Sequence, residues 1–285
     1  MTERVVVVIP ALNAEGTLGR QLAALDAQTD KDFRVLVSDN GSSDGTRALI
    51  QRWSPQFAGL ELLDSSARRG AANARNLAIE ASDEEFVLFC DADDRVWPGW
   101  VAAMRAALRI SDAVTGPLHL VFPLDPSRRE VWNATDLPVS MSFRPYGPSC
   151  NFGARRDALV KVGLFDPELS LGQEDVDLGW RLVGAGLRLS HSPDAVIDYY
   201  QRGSFGDFVR QQFRSGRAYV QLYEKHRYVA PPPVSVKASL RWFGHWARQL
   251  PGAIRRGHLR GALAGASFQV ARNYESLRRR IRTPL

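Results

Sequence analysis

Cysteine is scarce in this chain of 285 residues: Cys90 and Cys150 are the whole complement. That excludes a disulfide framework and fits a reducing compartment. Long apolar runs are also lacking. No stretch approaches the roughly 20 uninterrupted apolar residues of a membrane-spanning helix. Residues 1–4 pass straight into the strand-like run 5–9 with no secretory leader before it, so a cytoplasmic protein is expected. No internal repeat is present. Acidic residues are nearly absent from one end. Residues 235–285 hold eleven Lys and Arg against the single acid Glu275, a local charge of +10. Because the whole chain carries +6, residues 1–234 are left at −4. The basicity belongs to the tail.

What is present is enough apolar material, 45% of residues, to bury a sizeable core. The first 110 residues alternate strand-like runs (5–9, 33–37, 60–63, 85–89) with helix-like stretches around Leu18, Leu22 and Leu25, over 46–53 and over 71–81. Repeated β-α-β units with short connections predict a mostly parallel sheet covered on both faces. Such sheets bind ligands at the carboxyl ends of their strands. After Pro117 the pattern loosens. Residues 118–124 read as a strand, 125–148 as loop, 158–162 and 176–185 as helix, 187–189 and 195–197 as short strands, and 205–223 as a longer helix. Consecutive prolines at 231–233 mark a boundary, since they continue neither a helix nor a ladder. The division expected is 1–110, 111–230 and a basic helical extension, 231–285.

The run Phe86-Val87-Leu88-Phe89-Cys90 opens onto Asp91-Ala92-Asp93-Asp94. Unpartnered buried carboxylates are so costly that these acids must stand where the sheet meets solvent. Asp91 and Asp93 can present oxygen to a hard cation, Mg²⁺ or Mn²⁺, with Asp94 an alternative to Asp91. An acidic turn capping the helix around Trp97 is the plainer alternative. Polar clusters also follow the first strand, Pro10-Ala11-Leu12-Asn13-Ala14-Glu15, and the second, Ser38-Asp39-Asn40-Gly41-Ser42-Ser43-Asp44-Gly45-Thr46. Each alone reads as an ordinary βα loop. Together with Asp91 and Asp93 they make an acidic crevice suited to a nucleotide and its metal. Cys90 reads as a small buried hydrophobe and His191 as structural.

These stretches, with Gly70, Ala74-Arg75-Asn76 and Gly172-Gln173-Glu174-Asp175-Val176-Asp177-Leu178-Gly179-Trp180-Arg181, occur in the order found in inverting glycosyltransferases of family 2, which the chain resembles over about residues 5–200. The resemblance implies an α/β fold of the GT-A type: a single mostly parallel central sheet flanked by helices, here with a C-terminal helical extension. It implies that Pro10, Asn13, Glu15 and Asp39 grip the nucleotide, that Asp91 and Asp93 carry the diphosphate-bound Mn²⁺ or Mg²⁺, and that Arg75 adds a positive phosphate contact. Asp175, second of the Glu-Asp pair, is implied as the base that deprotonates the acceptor. Glu174, Trp180 and Arg181 are the accompanying acceptor contacts, Trp180 either stacking on a sugar or merely packing. The chemistry agrees: a departing diphosphate needs its charge neutralised, and an acceptor hydroxyl needs a proton acceptor.

The match departs from the family in two places. The histidine that completes many relatives' metal site is missing from Val196-Ile197-Asp198-Tyr199-Tyr200, where either Asp198 replaces it or the metal lacks that ligand. The Gln-x-x-Arg-Trp of processive members reads Gln211-Gln212-Phe213-Arg214-Ser215 here, so transfer of one sugar or a few is expected. In the tail, Leu240, Trp242, Phe243, Trp246 and Leu250 interleave with Arg241, His245 and Arg248. That pattern suits either an anionic membrane surface at the inner face or a helix packed on the catalytic domain with its arginines solvated. Nucleic acid is disfavoured for want of a recognised module, and residues 277–282 are expected to fray. The partners expected are a nucleoside-diphosphate sugar and a sugar, lipid-linked or small-molecule acceptor. A nucleotidyltransferase, a haloacid-dehalogenase-type phosphatase and a silent nucleotide-sugar-binding protein are the rival readings.

Overall fold

Val5, Val6, Val7, Val8 and Ile9 are all buried, as a strand covered on both faces requires. The computed structural model describes residues 3–123, 125, 127–201, 204–233, 236–255 and 259–283. In chain order come β1 (Val5–Ala11), α1 (Leu18–Asp26), β2 (Arg34–Asp39), α2 (Thr46–Trp53), β3 (Leu60–Asp64), α3 (Ala71–Glu80) and β4 (Phe86–Cys90). Next are β5 (Arg95–Val96), α4 (Trp100–Leu108), β6 (Ala113–Thr115), β7 (Leu118–Val121), β8 (Glu130–Trp132), β9 (Val139–Ser140) and β10 (Arg144–Pro145). Then follow β11 (Asn151–Arg155), α5 (Arg156–Lys161), α6 (Glu174–Gly184), β12 (Leu189–His191), β13 (Ile197–Tyr200), α7 (Phe205–His226), α8 (Val236–Arg255) and α9 (Leu259–Arg279).

Seven strands form the main sheet in the order β12-β6-β11-β4-β1-β2-β3. The expected large, mostly parallel sheet is present: β4, β1, β2 and β3 run parallel, and β11 enters antiparallel between β4 and β6. The chain steps from β1 outward to β2 and β3, then returns to the other side of β1 as β4. That reversal opens a crevice at the strand ends, and Asp91 follows β4 at that point. Alternation along β1 divides the core. Val5, Val7 and Ile9 pack with Leu18, Leu22 and Leu25 of α1 and Trp100 of α4, while Val6 and Val8 pack with Ala78 and Ile79 of α3 and with Phe152.

A second sheet, β5-β13-β7-β8, is one that the sequence pattern did not separate. Its strands are two to four residues long, too short to show a period. β11 was not anticipated either. Gly153 sits at its centre, where a Cβ would lie 2.8 Å from Leu88 Cδ2 and 3.1 Å from Val114 Cγ1.

The described residues within 1–139, 144–168 and 174–201 form one compact unit, and those within 140–143, 169–173 and 202–285 a second. In the second unit α7 and α9 approach closely at Gly216, where a Cβ would meet the Phe268 carbonyl at 2.2 Å. Glu275, fully buried on α9, accepts from Arg217, Arg278 and Arg279. Arg278 and Arg279 are therefore helical and paired, which corrects the expectation of fraying for these two, while α9 ends at Arg279 and residues 280–282 lie beyond it. Trp246 of α8 donates its indole N–H to the Ala262 carbonyl of α9 at 2.9 Å. The side chains of Leu240, Phe243 and Leu250 lie outside the described residues. Among the described residues no helix is long and apolar enough to cross a membrane.

Candidate active site

The loops after β1 and β2 are laced to each other by short polar side chains. Asn13, at φ 51°, accepts from the Ser43 N–H at 2.8 Å, and its own N–H donates to Ser42 Oγ. Glu15 accepts from the Gly45 N–H at 2.9 Å, and Thr46 Oγ1 accepts from the Ala14 N–H at 2.8 Å. Asp39 ends β2 fully buried, its carboxylate taken by Arg47 Nε at 2.5 Å and by the Ser42 N–H at 3.2 Å. Pro10 stands beside them at the end of β1. Asn40 extends the lacing. Its amide donates to the Ser65 and Arg68 carbonyls, and its oxygen accepts from the Gly70 N–H at 2.6 Å. This fixes the chain entering α3.

That entry places Arg75 and Asn76. Arg75, 3% exposed, bridges Asp91 at 2.9 Å and Glu174 at 3.1 Å. Burial opposes its charge, and the carboxylates of Asp91, Glu174 and Asp175 outweigh burial and hold the guanidinium protonated. It is a buried cation linking two acidic segments. Asn76 exchanges hydrogen bonds with both backbone groups of Phe165.

Asp91, Asp93 and Asp94 each offer an oxygen within 4.8 Å of the others. Asp94 is 1% exposed; one of its oxygens accepts from the Tyr200 N–H at 3.1 Å and the other is buried with no hydrogen-bond partner. Burial, with the charges of Asp91 and Asp93, pushes its carboxyl well above the usual range. Three oxygen donors, one of them buried and unsatisfied, are a donor set that fits a hard divalent cation. Arg20 of α1, which sequence reading missed, donates to the Asp93 carbonyl and lies 3.6 Å over the Tyr200 ring. No local pattern announces a contact that spans so much chain.

Asp175, in the first turn of α6, lines a cavity of about 370 Å³ together with Asp91, Ser149, Cys150, Tyr199 and Gln201. Burial first, and the neighbouring Glu174 charge second, push its carboxyl up to about 7. Its oxygens accept from the Val176 N–H at 2.8 Å and, weakly, from the Ser149 N–H at 3.4 Å. A carboxylate that titrates near neutrality inside a cavity is suited to taking a proton. Both cysteines are buried and free, and burial raises both thiols.

Other sequence-based expectations meet a different geometry. Asp198 does not join the acidic turn. It binds Arg95 at 2.7 Å and the Trp97 indole at 2.8 Å, and it lies outside the cluster of Asp91, Asp93 and Asp94. The cause is strand alternation: Tyr199 and Gln201 line the cavity, so the residue between Ile197 and Tyr199 faces the other side of the sheet. Tyr199 and Gln201 carried no such signal in the sequence, because β13 is only four residues long. Trp180 is fully buried, donates to the Arg144 carbonyl at 3.0 Å and cannot stack on an acceptor. Arg181 pairs with Asp177 at 2.7 Å and donates to the Val162 and Leu164 carbonyls, away from the cavity. Glu174 meets Arg75. His191 is structural, bonded to the Asn133 carbonyl at 2.8 Å.

Strands turning back at β1 and β4 over an acidic turn, with a second carboxylate across the cavity, define a glycosyltransferase of the GT-A fold. A mannosyltransferase from Pyrobaculum calidifontis, solved in complex with GDP-Man and Mn²⁺, superposes with a TM-score of 0.69 at 21% identity, covering 96% of this chain and 88% of that one. The family model of Glycosyl transferase family 2 matches residues 6–163, and the chain belongs to that family. Glycosyltransferase AglE of Haloferax volcanii is 30% identical over 226 residues, 76% of this chain and 73% of AglE. The N-acetylglucosaminyl-diphospho-decaprenol L-rhamnosyltransferase of Mycobacterium tuberculosis is 28% identical over 328 residues, 100% of this chain and 98% of the relative.

Proposed function

We propose that this glycosyltransferase moves one sugar, with inversion and without processivity, from a nucleoside-diphosphate sugar to an acceptor hydroxyl. The observation that carries the reading is that Asp91 and Asp175 line one cavity. Residues 1–110 supply the donor half, with Pro10, Asn13, Glu15 and Asp39 beside the nucleotide. Residues 111–230 supply the acceptor half. Asp91 and Asp93, with Asp94 beside them, would hold a divalent cation, Mn²⁺ or Mg²⁺, which would supply Lewis-acid neutralisation of the diphosphate. Asp175 takes the acceptor's hydroxyl proton as the acceptor oxygen bonds to the anomeric carbon. The bond from that carbon to the phosphate oxygen breaks on the opposite side, and the electron pair leaves with the nucleoside diphosphate. Arg75 keeps the acids of the two halves in register and adds positive charge near the leaving group.

The acceptor class is a sugar, a lipid-linked sugar or a small molecule. A relative named for N-acetylglucosaminyl-diphospho-decaprenol favours the lipid-linked member. The basic extension 231–285 then lies on anionic lipid at the inner face of a membrane. Nucleotide sugars screened for thermal stabilisation with Mn²⁺ or Mg²⁺ test the donor half, since a ligand at about 100 times its dissociation constant adds roughly 2.7 kcal/mol. A screen of UDP-, GDP- and dTDP-sugars that shifts nothing in either metal sinks the donor reading.

A further inference from the structure

Register decides which side chains share a face of the second sheet. Leu118 pairs with Trp132 across β7 and β8, and Leu120 pairs with Tyr199 across β7 and β13. Directly paired residues on neighbouring strands project to the same side. Leu118, Leu120, Trp132 and Tyr199 therefore make one apolar and aromatic face, and all of them line the cavity that holds Asp175 and Gln201. Trp132 keeps 38% of its surface exposed. A large apolar ring half open to a cavity is what a ligand covers, because burying it removes apolar surface from water at no folding cost. Trp180, the tryptophan that sequence reading offered for stacking, has no such surface.

We propose that Trp132 is the platform for the ring of the acceptor, and that the acceptor group in this cavity is a terminal pyranose. A pyranose is amphipathic: its axial C–H bonds make an apolar face, and its hydroxyls lie around the edge. An indole under the C–H face leaves those hydroxyls directed to the polar wall, where Asp175 and Gln201 stand. The wall of Leu118 and Leu120 continues the apolar side for whatever the sugar is attached to. This assignment rests on the proposed reading of Asp175 as the base for the orientation of the sugar, and on the register and the cavity for its place.

The test uses methyl glycosides of glucose, galactose, mannose, rhamnose and N-acetylglucosamine as probes of the full chain by saturation-transfer NMR. At least one should bind, with the strongest transfer at ring protons of one face. Trp132→Ala should weaken that binding by about fivefold or more, and Trp132→Phe should stay within about twofold of the parent, as expected for an aromatic anchor. Affinity for UDP or GDP with Mn²⁺ should be the same in all three proteins. The proposal is overturned if no glycoside binds, if Trp132→Ala binds as the parent does, or if its nucleotide affinity falls together with the glycoside signal, which would put the indole on the donor side. Asp175→Asn separates the two readings: it should keep the glycoside signal and lose transfer. Transfer that persists in it removes the base while the platform stands.

Discussion

A half-buried carboxylate beside a second carboxylate holds its proton longer, and that sets the pH range in which Asp175 would serve as the proposed base. Its carboxyl is pushed up to about 7 by burial and by Glu174. Only the ionised form accepts a proton, so transfer should fall roughly tenfold for each pH unit below that value and level off above it. A rate profile flat from pH 5 to 8 would contradict the assignment. On stability the same shift has the opposite sign. The folded state binds this proton more tightly than an unfolded chain with its ordinary 3.8, so the contribution is present at low pH and is lost as pH rises through about 7. Asp175→Asn should slow transfer about 10²- to 10⁴-fold with nucleotide affinity unchanged. The acids that could touch a cation separate in the same way. Asp93→Ala should remove the metal-dependent part of nucleotide stabilisation. Asp198→Ala should leave that part intact and lower stability by about 1–3 kcal/mol through the lost Arg95 and Trp97 bonds. Melting curves with and without Mn²⁺ check both, and a loss of the metal response in Asp198→Ala would return that residue to the metal site.

The elements that could be read in advance announce themselves locally. β1, β2 and β4 are apolar runs bounded by turn residues, and their order alone implies the crevice in which Asp91 stands. β11 could not be read this way. Asn151, Phe152, Gly153, Ala154 and Arg155 include no β-branched residue, and what makes them a strand is tertiary. Asn151 is fully buried with its amide divided among the Trp100 indole and the Pro117 and Ala195 carbonyls, and Gly153 leaves room for Leu88 and Val114. α6 shows the same limit within one helix. Its acids at the first turn were legible, but Trp180 lies four residues past buried Val176, on the stripe that faces inward. Gly153→Val should accordingly cost about 1–3 kcal/mol by overpacking. Denaturant midpoints measure it. A loss below about 0.5 kcal/mol would show that Leu88 and Val114 can yield.

Acidic residues are nearly confined to the first part of the chain, and no Asp or Glu occurs between Glu224 and Glu275. Within that stretch Arg241, His245, Arg248 and Arg255 of α8 are exposed, and their spacing of four, three and seven residues puts them along one stripe of the helix. Trp242 and Trp246 are only partly exposed, and the Trp246 indole serves packing between α8 and α9 through the Ala262 carbonyl. The contact expected with a membrane is therefore electrostatic, made by guanidinium groups at headgroup level without insertion of rings. Each basic residue near an anionic surface contributes about 1 kcal/mol, so replacing Arg241, Arg248 and Arg255 with Gln should weaken binding to phosphatidylserine vesicles by about a hundredfold. Sedimentation should also disappear at about 0.5 M salt, where the Debye length is well under 10 Å, while nucleotide stabilisation of the variant stays as in the parent. Binding that survives such salt would mean that the tryptophans insert after all. No sedimentation with anionic vesicles at low salt, or equal sedimentation of the triple variant, would remove the membrane from this stripe. Preferential capture by RNA at the same ionic strength would assign it to nucleic acid instead.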